Sequence, residues 1–168
     1  SMSKISVASA SSSSGEKHLL RGLSKLALFS TGFIYFVIFA GGLVRVAGAG
    51  LGCPDWPRCF GRWFPPTDVS QLPAGVDPAS FNFTLAWIEY ANRLGGAIFG
   101  LVLIYQSMYV LRHFRHDKQI LWTTLVATIL TGAQGWIGGY VVTTELQPII
   151  VTLHMALALV ILSLVIWT

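Results

Sequence analysis

Charge is what this sequence lacks most. Only 11% of its 168 residues are Asp, Glu, Lys or Arg, against roughly 25% in ordinary soluble domains. The apolar share is 54%, and mean hydropathy is +0.65. A disordered chain needs the reverse balance and a soluble globule needs more polar surface, so both classes are excluded. Cysteine is scarce, with Cys53 and Cys59 alone, both in one stretch between apolar runs. Lys/Arg clusters interleaved with aromatics, the mark of a nucleic-acid surface, are missing, and no nucleic-acid partner is expected. The net charge of +4 therefore reads as orientation in a bilayer. At about 20 residues per span plus loops, the length accommodates four spans and no separate soluble domain.

What is present is four apolar runs: Leu26 to Val44, Leu85 to Leu111, Ile120 to Val142 and Ile149 to Trp167. The 19 residues of the first cover close to the ~30 Å hydrocarbon core at 1.5 Å per residue. This predicts an all-α integral membrane protein, a bundle of four transmembrane helices over residues 25–168, preceded by a disordered, basic tail over 1–24 in which 16–25 can start a short interfacial helix. The segment 45–85 forms a long loop rich in Pro, Gly and Trp. Lys4, Lys17, Arg21, Lys25, Arg112, Arg115 and Lys118 fall on one side of such a bundle, while Arg45, Arg58, Arg62 and Arg93 fall on the other. The positive-inside rule then puts both termini in the cytoplasm or matrix and the long loop outside. The poverty of Arg in the tail favours a bacterial plasma membrane over a mitochondrial inner membrane.

In an up-down bundle the second and fourth spans are diagonal neighbours. Their outer halves hold the ionisable residues. Glu89, Asn92, Arg93, Gly96 and Gly100 follow spacings of three and four and share a helical face. Asn92 and His154 both lie roughly 10 Å below the outer end, so they are expected to face each other across the bundle. An ionisable residue inside a span is a functional candidate by default. The bland alternatives are a self-neutralising Glu89–Arg93 pair and a His154 that only hydrogen-bonds a neighbouring helix. Gly96 and Gly100 read as close helix packing, as do Gly135, Gly138 and Gly139, which also leave room for a flat group. His113 and His116 read as solvated loop residues. In the long loop, Cys53 and Cys59 do not match a haem-attachment or thioredoxin-like motif. An outward-facing pair this close suggests a disulfide, for rigidity or for redox exchange; a zinc site lacks further ligands.

The stretch GGLVRVAGAGLGCPDWPRCFG at 41–61, with WIEYANR at 87–93 and LHMALA at 153–158, resembles the N-terminal half of haem A synthases, over nearly the whole chain from about residue 25. The resemblance implies one half of an eight-helix, pseudo-symmetric fold. It implies oxidation of the C8 methyl of haem O to a formyl group, giving haem A for cytochrome oxidase assembly, downstream of haem O synthase. It places substrate haem in this half and haem b in the complementary half, which a second copy of the chain or a separate four-helix half supplies. Glu89 matches the family's essential glutamate, Arg93 its arginine, His154 its fourth-helix iron ligand, and Cys53 and Cys59 its loop pair. Asn92 stands where many members have His. It is a poor iron ligand, so either His154 holds the iron alone or water bridges Asn92 to it. Arg45 and Arg93 are candidates for the haem propionates, whose carboxylates suit a guanidinium fork. Glu89 is the candidate proton acceptor, or the stabiliser of positive charge on the methyl carbon. The alternative function is a non-catalytic haem-binding subunit of the cytochrome b type.

Overall fold

A computed structural model describes residues 2–168, with side chains from Ser14 onward. Four helices account for most of the chain: α1 (Met2–Val46), α2 (Phe83–His113), α3 (Lys118–Thr143) and α4 (Pro148–Trp167). All four are long and apolar enough to cross a membrane, α1 over Ser14–Val46. The protein is a four-helix membrane bundle. Segment 16–24, expected to precede the first span, is continuous with it in α1, and of the expected tail the side chains before Ser14 lie outside the described residues.

Local chemistry sets the helix ends. Asn82 Oδ1 accepts from Leu85 N at 3.1 Å and starts α2. Asp117 Oδ1 accepts from Gln119 N and Ile120 N at 3.1 and 3.2 Å and starts α3. Each satisfies backbone N–H groups that a helix start leaves without intrahelical partners. Pro148 opens α4, where the missing N–H is not needed. At the far end of α1, Gly48 takes the left-handed conformation (φ 68°) that turns the chain into the loop.

The helices pack in a ring: α1 against α2 and α4, and α3 against α2 and α4. That makes α2 and α4 diagonal, as the alternating direction of the spans requires. Ile34 from α1, Phe99 and Leu103 from α2, Ala127 from α3, and Ile161 and Val165 from α4 form the buried centre. Large residues such as Leu28, Phe39, Ile129, Trp136 and Trp167 stay exposed on the outside. Helices apolar on every side suit a lipid solvent.

Toward the end of the bundle opposite the long loop, the interior is polar and paired. Ser30 Oγ donates to Gln106 Oε1 at 2.6 Å, joining α1 to α2. The hydroxyls of Ser107 and Thr128 lie 2.7 Å apart and join α2 to α3. In lipid, side-chain bonds of this kind hold helices in register. Gly100 sits near Thr131, but Gly96 and Gly135 have open space where a Cβ would stand. The expectation that both mark close helix packing is therefore corrected: open space, not a neighbouring helix, lies beside the half-buried Gly96 and the exposed Gly135.

Replacing Ser30 by Ala should lower bundle stability by about 0.6–2 kcal/mol, because Gln106 keeps a buried acceptor without its donor. Replacing both Ser30 and Gln106 with apolar residues of matching volume should recover most of that loss. A double-mutant cycle by denaturation in detergent measures both; an additive result would deny the bond its role.

Candidate functional site

The long loop folds back onto the first turns of α2. Cys53 and Cys59 are joined in a disulfide, and both are buried with Phe60 and Ala86 in a small second core. Inside the disulfide-closed turn, Asp55 binds the backbone: its carboxylate oxygens accept from Phe60 N at 2.5 Å and Gly61 N at 2.8 Å. Those bonds hold Phe60 at a φ of 53°, a left-handed conformation costing about 1–2 kcal/mol for a residue with a Cβ. Gly52 passes directly over α2, where a Cβ would run into the Leu85 carbonyl. Only glycine permits that approach.

Glu89 and Arg93, one turn apart on α2, seize this loop. Glu89 is buried; one carboxylate oxygen accepts from Cys53 N at 2.7 Å, and the other pairs with Arg93 Nη2. Arg93 Nη1 donates to the carbonyls of Asp55 and Arg58 at 2.7 and 3.0 Å, and Nη2 donates to the Cys53 carbonyl at 3.1 Å. The planar guanidinium fork thus reaches three loop carbonyls and one carboxylate at once. The Glu89–Arg93 pair is present, but it is more than mutual neutralisation, because both members hold the disulfide loop. The guanidinium N–H groups that a propionate would use as a fork are engaged by the loop.

The other candidates sit apart from this clamp. Asn92 turns toward α1, its Oδ1 3.7 Å from where a Cβ of Gly41 would stand. His154, half-buried on α4, lies against α3: a Cβ on Gly138 would meet its Cε1 at 3.3 Å and its Nε2 at 3.9 Å. The two share a depth by residue count, yet no hydrogen bond joins them among the described residues. Neither ring nitrogen of His154 is hydrogen-bonded within the described chain, and Nδ1 is buried without a partner. An imidazole left free in this way, with glycine beside the ring, fits the role of one axial ligand to a haem iron. Arg45, in the last turn of α1, is exposed.

Trp56 of the disulfide turn lies over Gly139 of α3. With Trp136, Tyr140 and Thr143 it lines an open cavity of about 250 Å³. Trp56, Asp55 and Gln134 were not singled out from the sequence. Asp55 and Trp56 lay within the quoted loop motif, and Gln134 was visible only as an amide inside an apolar run.

Replacing Arg93 by Met should keep its volume but leave Glu89 buried without a counter-charge and three carbonyls without donors. The expected loss is about 3–5 kcal/mol, with amide exchange accelerated across 53–62. Arg93→Lys should be intermediate, since it restores charge without the fork. Exchange rates in 53–62 that match the unaltered protein would show that the clamp does not hold the loop.

Matches include proteins named heme A synthase from Geobacillus kaustophilus, 28% identical over 122 residues covering 73% of this chain and 34% of that protein, and from Shewanella oneidensis, 31% identical over 126 residues covering 73% and 37%. One from Bacillus cereus is 26% identical over 122 residues, with coverage of 73% and 34%. The chain spans about a third of the length of the curated relatives it matches. No solved structure matches it. The family model described as cytochrome oxidase assembly protein matches residues 24–168, which take in α1 from residue 24 onward, the loop and all of α2, α3 and α4, and the chain belongs to that family.

Proposed function

We propose that this bundle is the substrate-haem half of a haem A synthase, which oxidises the C8 methyl group of haem O to a formyl group. The observation that carries the reading is His154: an imidazole inside a membrane span, with no hydrogen bond to either nitrogen among the described residues and Nδ1 buried and unpartnered there, in a chain whose relatives are named heme A synthase. A polar ring left unpaired in lipid needs a ligand to justify its cost.

In this reading His154 is the protein ligand to the iron of substrate haem. Asn92, a hard neutral oxygen donor, would be a poor iron ligand, so either His154 would hold the iron alone or a water would bridge Asn92 to it. Arg45, exposed at the end of α1, binds a propionate; Arg93 keeps the loop seated and acts on haem only at that remove. Glu89 is the acidic group of the site. Two hydrogen bonds use part of its carboxylate, which offers about four acceptor positions, so a lone pair remains for a proton leaving the methyl carbon or for the charge developing there. The complementary half, from a second copy or another four-helix unit, would hold haem b, which would pass the electrons released in that oxidation to an external acceptor. The loop faces outward from a bacterial plasma membrane, with both termini cytoplasmic, following the Lys and Arg distribution. A two-histidine cytochrome b is less well supported, because His154 is the only histidine within the four apolar runs.

The test is purification in detergent from membranes containing haem O, with pigment analysis. The chain should carry haem with a Soret band that His154→Ala removes or shifts. Glu89→Ala should keep the band but lower haem A formation by about 10²–10⁴-fold when the chain is produced with its complementary half. Colourless unaltered protein, or full haem A yield from Glu89→Ala, would sink the proposal.

A further inference from the structure

We propose that Gln134 is the positioning residue for His154: its Oε1 accepts the Nδ1–H of the imidazole, fixing the tautomer that leaves Nε2 free for iron. This rests on the reading of His154 as the iron ligand.

Gln134 belongs to α3 and reaches across to α4, where its Nε2 donates to the backbone carbonyl of His154 at 2.8 Å. A carbonyl can be met only by the donor end of the amide, so the orientation of the group is set by chemistry. Oε1 is then the free end. It is buried and has no partner, and so is Nδ1 of His154; these are the two buried side-chain polar atoms left unpaired in the described chain. They are complementary. An amide oxygen only accepts, and Nδ1 in its protonated form only donates. They also belong to two residues already tied together by a hydrogen bond, so a turn of the imidazole or one bridging water is what the proposed bond requires.

The opposite edge of the ring supports the same assignment. Gly138, one turn beyond Gln134 on α3, leaves out the Cβ that would stand 3.3 Å from Cε1 and 3.9 Å from Nε2. One face of α3 thus offers an acceptor for Nδ1 and, by omitting a Cβ, lets the other edge of the ring pack close to the helix with Nε2 unblocked by a side chain. A hydrogen bond on the far nitrogen of a ligating histidine sets its tautomer and ring orientation and raises its basicity toward the metal.

Nitrogen NMR of the full chain labelled with ¹⁵N-histidine tests this without haem. The His154 signal is identified by its loss in His154→Gln. The unaltered protein should hold the Nδ1–H tautomer; Gln134→Leu should move the population toward Nε2–H, and Gln134→Glu, which keeps an acceptor at the same reach, should retain Nδ1–H. A His154 tautomer unmoved in Gln134→Leu overturns the assignment. The second arm loads the same proteins with haem O. Gln134→Leu should weaken haem affinity about 10–100-fold and shift the low-temperature EPR signal, with Gln134→Glu restoring both. Haem spectra indifferent to His154→Gln would overturn the ligand reading itself, an outcome separate from the tautomer result.

Discussion

The Arg93 guanidinium joins the two parts of this protein. A loop of some length at a membrane surface carries many backbone carbonyls, and those that approach the bilayer need donors from the protein. Arg93 meets three of them and balances its own charge with Glu89. Without it, the disulfide turn would rest on the bundle through apolar contact and the single Cys53–Glu89 bond. With it, the loop is oriented as well as covered, because a planar fork fixes direction where a point charge would not.

From that junction the rest of the loop end follows. The clamp seats Cys53 against Ala86 and brings Gly52 over the Leu85 carbonyl. The disulfide and the Asp55 carboxylate stiffen the turn, so Trp56 is delivered onto Gly139 of α3. The loop therefore touches both α2 and α3 and closes that quarter of the bundle. His154 and Gln134 lie on the α3–α4 seam, and the polar pairs Ser30–Gln106 and Ser107–Thr128 tie the opposite end. Polar groups stand at both ends of the interior, with an apolar centre between them. Those near the loop include the two unpaired ones, and those far from it are paired with each other.

The division has a physical logic. In lipid an unpaired polar atom is costly, so paired groups hold the helices together, and under the proposed function a ligand completes the unpaired ones. Glu89 belongs to the paired group. It is a member of the clamp, yet it keeps acceptor capacity beyond its two bonds. Under the proposed function it has a chemical duty besides its structural one, so loop order and haem chemistry need separate readouts when it is replaced.

The sequence alone determined the number of spans, their ends to within two residues for α2, α3 and α4, and the diagonal placement of α2 and α4. These depend on run length, caps and chain direction, all of them local. The Glu89–Arg93 pair was legible because helical spacing puts residues four apart side by side, and the Cys53–Cys59 disulfide because the two lie in one short turn. Tertiary structure alone decided which groups the pair would hold. Its partners at Cys53, Asp55 and Arg58 are backbone atoms, which carry no residue identity to read. It also decided that Asn92 turns to α1 while His154 of α4 lies against α3. Helices that are apolar on every side leave their rotation about the long axis unmarked in the sequence, and only packing against real neighbours sets it.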